Sequence, residues 1–525
     1  MKKQILLVLG LLFTVMMQAG RNQTNLTVVS TAGDLATAII NAGGNLTTVT
    51  NLTVTGTIDA RDFVTIKNMS VLAELNLSGT TVAAYLTNPD NTVPDNALKY
   101  CTTLTTINLP SEITKIGRMA IYGLWRLKTF TIPSTVTFIG DQAFRGCEEM
   151  TAIELPSELI TLDYSAFEEC YALLSITIPS KVTTIGYGAF NKCYALKSVI
   201  LPTTLSSIDG GVFQGCRSLE TINFPSTLTS LGYQSFAGSG LKNIILPPSL
   251  LSIGEGSFRE CGSLLSVSIP ASVTKIGKYA FIYSTGLKNV DPANLTYSSI
   301  DGVLFDKSQT TIIHCPMSMT GNYTIPSSVT MIDLSAFERC RDLTSIIIPS
   351  GLTTIKNFGF TECVKLTTLS IPSSVTSIGS SAFYYCSGLT SFYAYASTPV
   401  NLKTSTTVFD YINTTTCILH VPNGSLSDYQ AANQWSAFSH IVDDILFTGV
   451  NNATSMHLSL YPNPATDRFS IRGEEKRSSV SIYDLSGSLV HTQTISGTSF
   501  ININSLQKGI YLVKANGLAG KLVKN

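Results

Sequence analysis

The chain has 525 residues, of which 44% are apolar and 13% charged, and 34 Lys and Arg balance 34 Asp and Glu. So much apolar surface can build a core, which disfavours an intrinsically disordered chain. The zero net charge argues against nucleic acid or a membrane surface as the ligand, because both select a basic excess.

The N-terminus has the pattern of a secretory signal peptide. Lys2 and Lys3 precede an apolar run from Ile5 to Met17 that is short for a bilayer span, and a small-residue cleavage pattern ends at Ala19. We predict a signal peptide at 1–20, with an N-terminal membrane anchor as the alternative. No later segment reaches about 18 uninterrupted apolar residues, so no transmembrane helix is expected in the mature chain.

A regular repeat fills the middle of the chain. Cysteines recur every 23 residues, each preceded by Phe three positions earlier, as at Cys170, Cys193 and Cys216. A period in the twenties predicts a solenoid, whose coils bury their apolar faces against one another in one continuous core. We predict a mainly β solenoid at 97–393, with a cap of degenerate repeats at 21–96.

Within one coil, residues 173–193, each position has a predicted role. Apolar residues point inward from two extended segments, and Gly186 permits the turn after the second segment. Ala189-Phe190 begins a helical or 3₁₀ turn that places the ring in the coil centre.

Three irregular segments follow or interrupt the repeat. Residues 291–323 are an insertion in which Asp301-Gly302 predicts a β-hairpin. Residues 394–447 should cap the solenoid, with a short helix whose Trp435 covers the core. Residues 448–458 have the composition of a linker.

The C-terminal segment, 459–525, lacks the repeat. It contains short alternating runs, such as Val480-Ser-Ile-Tyr483 and Ile510-Tyr-Leu-Val513, separated by turn residues. This pattern is typical of a small antiparallel β-sandwich.

The repeat motif, L-x-x-I-x-[IL]-P-x-x-[VL]-x-x-I-G-x-x-A-F-x-x-C-x-x, resembles the BspA-like leucine-rich repeats of bacterial surface proteins. The resemblance covers about residues 97–393. It implies a leucine-rich-repeat solenoid that attaches the cell to host proteins or to other cells. No catalytic residue is implied.

The C-terminal segment resembles a type IX secretion C-terminal sorting domain. The resemblance implies export across the outer membrane, contact with the secretion machinery through 459–525, and a secreted or surface-associated protein. The matching positions that we take as the sorting motif are Tyr461, Pro462, Asn463, Pro464, Gly509, Tyr511, Lys521 and Lys524.

The eleven cysteines allow two interpretations. A column of buried thiols is favoured over disulfides or a metal site, since Leu124, Ser239 and Ser284 occupy the same column and no C-x-x-C pair exists. Cys315 and Cys417 lie outside the column and are the best candidates for reactive or paired thiols.

The sequence contains no pattern of a catalytic or metal site. The five His are scattered, no phosphate-binding loop is present, and the acidic pairs Glu148-Glu149 and Glu168-Glu169 are interpreted as a solvated loop face rather than paired carboxylates. We therefore predict no enzyme activity, no cofactor and no bound metal. A hydrolase within 21–96 or 291–323 is the least favoured hypothesis.

Two surfaces are candidates for protein binding. The strand face should expose small, mostly uncharged side chains, namely Asn108, Thr131, Glu154, Thr177, Ile200, Asn223, Ile245, Ser268, Ile347, Ser370 and Tyr393. Four tyrosines on two adjacent coils are the other candidate, although they can instead be structural residues of the coil edge: Tyr164, Tyr171, Tyr187 and Tyr194.

The sequence thus favours an exported surface protein that binds extracellular protein or neighbouring cells. The alternative is a display scaffold without a strong ligand of its own.

Overall fold

The computed structural model describes residues 24–445, 458, 460–471, 478–484, 489–495, 500–515 and 518–524. They belong to two compact units, 1–446 and 447–525, which are treated separately below. The predicted signal peptide lies outside the described residues, as does the predicted linker except for Leu458.

The first unit begins with two coils that each combine a strand and a helix. The helices are Leu35–Asn41 and Ala60–Lys67, and the second has a capping box formed by Asp59 and Asp62. The Asp62 carboxylate also accepts hydrogen bonds from the amides of Gly33 (2.7 Å) and Leu35 (2.9 Å), which ties the two helical segments together. The strands pair in parallel in the order Asn25–Ser30, Asn51–Ile58, Glu74–Val82 and Thr106–Asn108.

Parallel strands on one side of the solenoid form the strand face. Neighbouring strands pair with the offset of the repeat, so Ser175 lies opposite Ser198 and Thr177 opposite Ile200. The central residue of each strand is buried and its two neighbours point outward, as alternation in a strand requires. Beyond the first coils, the strands are Thr129–Thr131, Ala152–Glu154, Ser175–Thr177, Ser198–Ile200, Asn243–Ile245, Ser266–Ile269, Leu287–Val290, Thr320–Thr324, Asp342–Ile347, Thr368–Ile371 and Ser391–Ala394.

Shorter strands form a second parallel face, which leads to the turns that carry the Phe and Cys columns. This run of turns is called the turn edge. The short strands are Thr92–Val93, Lys115–Ile116, Phe138–Ile139, Thr161–Leu162, Ser207–Ile208, Ser230–Leu231, Ser252–Ile253, Lys275–Ile276, Thr311–His314, Met331–Ile332, Thr354–Ile355 and Ser377–Ile378.

The Phe column lies inside the coils, as predicted. From Phe144 to Phe281 each ring stacks on the next with centroids 5.0–5.8 Å apart, and every ring is buried. A second stack runs from Phe337 to Phe409, at 5.1–5.9 Å. The repeat therefore forms a mainly β leucine-rich-repeat solenoid, in which one coil supplies the apolar cover of the next.

Gly186 has a different role from the predicted one. A Cβ at this position would lie 2.5 Å from the carbonyl carbon of Asp163 and 2.6 Å from the amide nitrogen of Tyr164. The glycine is thus required for close stacking of coils, and the same crowding exists at Gly140 and Gly232. The left-handed residues lie further along the turn instead, two per coil, as at Gly188 (φ 65°) and Lys192 (φ 60°).

The segment after Gly186 is also not the helical or 3₁₀ turn that was predicted. It consists of consecutive hydrogen-bonded turns, for example Asn191 N to Gly188 O (2.9 Å) and Cys193 N to Phe190 O (3.2 Å). The left-handed residues between these turns prevent a continuous right-handed helix.

The predicted hairpin is present in the insertion, with Tyr297–Ile300 antiparallel to Val303–Asp306. The core, however, is not continuous here, and that prediction was wrong. The hairpin strand divides its side chains between two apolar clusters, with Leu304 in the first and Val303 and Phe305 in the second. Polar side chains, including the fully buried Lys288, lie close to this boundary.

The end of the first unit is closed by two further parallel strands, Ile418–Pro422 and His440–Ile445, next to Ser391–Ala394. The helix Leu426–Ala431 and the 3₁₀ turn Trp435–Ala437 pack beside them. Trp435 is buried against Phe392 and Phe409, and its indole N–H donates to the carbonyl of Val400 (3.0 Å).

The second unit is a small antiparallel β domain, as predicted. One sheet contains Leu460–Tyr461, Arg468–Ile471 and Ile501–Asn502. The other has the order Leu489–Ile495, Ser478–Tyr483, Gly509–Ala515 and Leu518–Lys524. Their inner residues, such as Phe469, Ile482 and Val513, share one core.

Candidate binding surface

The strand face presents most of its predicted outward residues to solvent, but Ser370 and Tyr393 are half-buried. Thr131, Glu154, Thr177 and Asn223 are exposed, and so are apolar positions on this face, with Ile245 at 80%. Ile200 and Ile347 are 62% and 54% exposed. The surface is a ladder of small side chains with isolated isoleucines, which can make flat contacts, and a pocket of about 430 Å³ lies beside Ser268.

The four predicted tyrosines occupy two different positions on the turn edge. Tyr164 and Tyr187 begin the turn and are about half exposed. Tyr171 and Tyr194 follow the Cys column, and their rings stack with centroids 5.0 Å apart and planes 4° apart. The Arg217 guanidinium, one coil further on, lies 4.8 Å from the centroid of the Tyr194 ring. Tyr171, Tyr194 and Arg217 are called the tyrosine row.

Charged residues beside the tyrosine row pair across coils. Arg145 contacts Glu168 (3.1 Å) and Glu169 (3.3 Å), and Lys192 contacts Glu169 (2.8 Å). Burial acts to raise the pKa of Glu169, but its bonds with Lys192 and Arg145 hold this pKa below its ordinary value. Glu168 is only 7% exposed, so the interpretation of Glu168-Glu169 as a solvated face was wrong.

A second aromatic and cationic group lies further along the turn edge. The Tyr283 hydroxyl donates to Glu338 (2.6 Å), and the Arg339 guanidinium lies 4.0 Å from the Tyr283 ring centroid. Tyr384, Tyr385 and Tyr411 form a further ring cluster. Sequence reasoning missed Arg217 as the partner of Tyr194, although the 23-residue offset between them was the available signal.

All eleven cysteines are unpaired, buried thiols. In the regular coils the thiol donates to the carbonyl of the Phe-column residue one coil earlier, as from Cys193 Sγ to Phe167 O (3.2 Å). Burial raises the pKa of the Cys147 thiol to about 12, and that of Cys417 to about 11. Cys315 is fully buried and its pKa is raised well above the ordinary value, so the expectation of reactive thiols at Cys315 and Cys417 is not supported by their surroundings.

The histidines have separate environments. His420 stacks on Tyr393 with centroids 4.2 Å apart, and its Nδ1 lies 2.9 Å from Asp444. His314 is buried within the solenoid. Across the described residues, no three His, Cys, Asp or Glu side chains converge in a way that could hold a metal ion.

The predicted sorting motif joins the first and last strands of the second unit. The Asn463 side chain donates to the carbonyl of Lys521 (2.5 Å) and accepts from the amide of Val523 (2.8 Å). Lys524 Nζ donates to the carbonyl of Thr466 (2.9 Å), and the Tyr511 hydroxyl donates to the carbonyl of Gln507 (2.7 Å). Lys521 is exposed on the last strand, and Gly509 is half-buried on the neighbouring strand Gly509–Ala515.

Within the described part of the chain, no helix combines the length and apolar character needed to cross a membrane.

Two family models match the chain. The BspA type leucine rich repeat region matches in six copies over residues 85–197, 183–312 and 314–429. The secretion system C-terminal sorting domain matches residues 459–525. Both families are in general non-enzymatic.

Solved structures of similar proteins include leucine-rich-repeat proteins from bacteria. One from Bacteroides ovatus is 26% identical, covers 62% of this chain and 87% of its own, and has a TM-score of 0.43. One from Eubacterium ventriosum is 25% identical, with coverages of 57% and 68% and a TM-score of 0.37. A leucine rich cell surface protein from Faecalibacterium prausnitzii is 23% identical, with coverages of 70% and 86% and a TM-score of 0.38. No curated protein matches the chain.

Proposed function

Because the chain belongs to the BspA-type leucine-rich-repeat family and ends in a type IX sorting domain that directs it to the cell surface, we propose that its solenoid binds extracellular proteins or the surfaces of neighbouring cells. The secretion machinery handles the C-terminal domain during export. The solenoid is then the part of the chain left for contact with other molecules.

The tyrosine row is the observation that carries this proposal. Tyr and Arg are enriched among the residues that dominate protein interfaces, because they supply a large contact area at a small entropic cost. Here the Tyr171 and Tyr194 rings and the Arg217 guanidinium are stacked on one another in the isolated protein. A partner would therefore meet side chains that are already ordered, which lowers the entropy lost on binding.

The neighbouring ion pairs support the same surface. Arg145, Glu168, Glu169 and Lys192 connect three adjacent coils through contacts of 2.8–3.3 Å. Such a network holds the base of the tyrosine row in place, whereas isolated surface pairs contribute little. The tyrosines themselves are then available for contact, and the structural role considered for them is compatible with this use.

The strand face is the second candidate surface. Its exposed isoleucines, Ile200, Ile245 and Ile347, are separated by small polar residues. It suits weaker and less specific contact. The alternative function is a scaffold that displays this surface without a strong ligand of its own. The small polar side chains of the strand face favour this alternative.

We further propose that the protein is not an enzyme. The thiols are buried and have raised pKa values, and the His420–Asp444 pair is adjacent to a tyrosine ring rather than to a nucleophile. The thiols and the His420–Asp444 pair thus make structural contacts and do not form the nucleophile–base pair that covalent catalysis uses.

A pull-down experiment tests the proposal. Full-length mature protein is immobilised and incubated with extracts of extracellular matrix and of bacterial surfaces, and the retained proteins are identified. Replacing the tyrosine row (Tyr171→Ala, Tyr194→Ala, Arg217→Ala) should weaken binding of the retained protein at least about tenfold. The matched control removes the isoleucines of the other face (Ile200→Ser, Ile245→Ser, Ile347→Ser) and should leave binding nearly unchanged. Equal binding by the wild type and the tyrosine-row variant would reject the assignment of this surface, and no retained protein would favour the scaffold.

A further inference from the structure

A ladder of backbone hydrogen bonds runs along the turn edge. In each regular coil three turn amides donate to carbonyls of the next coil: the Phe-column amide and those two residues before and after it. In one coil these are Gly188 N to Gly210 O (2.9 Å), Phe190 N to Val212 O (3.0 Å) and Lys192 N to Gln214 O (2.7 Å). The turns thus pair as strands do, through alternate amides.

Among the described residues, this ladder is interrupted once between the coils of Leu98 and Phe383. The amides of Tyr279, Phe281 and Tyr283 have no hydrogen-bond partner among the described residues, whereas the corresponding amides of the preceding coil reach Lys278, Ala280 and Ile282. The cause is that the next coil passes from its short strand directly to Cys315 without a turn segment. Only the Cys315 amide reaches the following coil, at Ala336 O (2.7 Å).

A cavity of about 350 Å³ occupies the place of the missing turn. Tyr279 and Phe281 line it from one coil, Ser335 from the coil beyond the gap, and His314 from the shortened coil between them. This cavity is called the notch. It is larger than the space of about 150 Å³ that accommodates benzene in an engineered protein core.

The walls of the notch carry unsatisfied polar groups besides the amides. His314 and Ser335 are 7% and 4% exposed, and within the described part of the chain His314 Nε2 and Ser335 Oγ have no hydrogen-bond partner. Buried polar atoms without partners are rare in folded proteins, because each costs about 1–3 kcal/mol. These polar atoms cluster at the interruption of the ladder. The cluster indicates a binding site, in which a ligand would supply the missing hydrogen-bond partners.

We propose that the notch binds a peptide segment of a protein partner in the conformation of the turn that the shortened coil lacks. Its carbonyl groups accept from the Tyr279 and Phe281 amides, and an aromatic side chain lies beside His314, whose ring is 6.3 Å from that of Phe281 where the next Phe of the stack is missing. At each regular coil, the turn of the next coil supplies these carbonyl groups and the aromatic ring. The notch is therefore complementary to a peptide backbone rather than to an isolated ring.

The charge around the notch favours an acidic residue in that peptide. Lys278 and Lys356 both line the cavity. Lys356 is paired with Asp333 (2.8 Å), whereas Lys278 is exposed and has no ion-pair partner among the described residues. The inference rests on the proposed function only in that the ligand is a protein, and its site is separate from the tyrosine row.

The test uses a peptide copied from a regular turn of this chain, fluorescein-labelled Gly-Tyr-Gly-Ala-Phe-Asn-Lys (residues 186–192). Titration with full-length mature protein should show saturable binding by fluorescence anisotropy, with a Kd of roughly millimolar or below. Replacing Phe by Ala in the peptide should weaken binding about tenfold. An added acidic residue should strengthen it, and Lys278→Ala should remove that gain.

Controls separate this site from the tyrosine row. Ile313→Trp, which fills the notch, should abolish peptide binding, whereas the tyrosine-row variant should bind the peptide as the wild type does. If Ile313→Trp fails to fold, hydrogen exchange in the wild type gives the answer: the peptide should slow exchange at Tyr279 and Phe281 but not at Phe258. No binding, unchanged exchange at those two amides, or binding of benzoate without binding of the peptide would overturn the inference.

Discussion

Replacement of Lys288 by Met should stabilise the protein. Lys288 occupies an inward strand position opposite Val267, is fully buried, and donates to Ser284 Oγ (3.3 Å) and to the carbonyl of Gly286. Its ammonium group lies 5.1 Å from the Phe281 ring centroid and has no carboxylate partner among the residues that the structure describes. A buried charge without a counter-ion is costly, and Met fills a similar volume without that cost.

The magnitude follows from the protonation of this side chain. Burial lowers the pKa of Lys288 from 10.5 to about 7. At about 1.4 kcal/mol per pKa unit, this lowering corresponds to about 5 kcal/mol of lost stability at pH 7 and below. Between pH 7 and 10 the unfolded chain binds more protons at this position than the folded chain, so the contribution to stability rises with pH.

Urea unfolding of the Lys288→Met variant and the wild type should therefore be compared from pH 7 to pH 10. The gain in the free energy of unfolding should be several kcal/mol at pH 7 and should shrink toward zero near pH 10. Thiol ionisation affects both proteins alike and cancels in the difference. The control Lys197→Met alters an exposed lysine and should give no such dependence. A destabilised Lys288→Met variant, or a gain that does not change with pH, would refute the reasoning.

Three further predictions concern the coil geometry, the buried thiols and the export of the protein. Gly186→Ala should destabilise the protein by about 2–3 kcal/mol, because the added Cβ meets the backbone of the previous coil. Gly146→Ala (φ 75°) should cost only about 1 kcal/mol, because the nearest atom to its added Cβ is 3.5 Å away. Thermal unfolding measures both effects. Stability should fall steeply above about pH 8.5, since unfolded thiols ionise there while buried thiols such as Cys147 stay protonated; a flat urea midpoint from pH 8 to 10 would contradict this. Truncation after Asn451 should leave the protein in the periplasm, which fractionation and surface proteolysis can show.

The regular coils could be predicted closely because every position in them repeats. Phe190, Ile176 and Cys193 recur in columns, so the period of the sequence fixes which side chains stack inside. The same columns also predict which side chains of the strand face point outward, because successive side chains of a strand point to opposite faces. The predicted domain boundaries and the role of the named surface residues stay predictions.

The interruption of the core could not be predicted in this way. The coil from Val267 to Lys288 has 21 residues, so a fixed spacing of 23 places Val290 at the inward position instead of Lys288. The notch was missed for a related reason: it results from a turn that is absent from the sequence, and its amide donors carry no side-chain signature. Gly186 was misinterpreted because crowding between coils depends on backbone distances that the sequence does not contain.

Photo-crosslinking on intact cells tests the central claim most directly. A photoreactive phenylalanine analogue at Tyr194 of the full-length, surface-displayed protein should form adducts with an extracellular protein or a neighbouring cell's surface protein. The same analogue at Ile245, on the strand face, should form few adducts. Adducts at Ile245 alone, or at neither position, would contradict a solenoid that binds its partners through the turn edge.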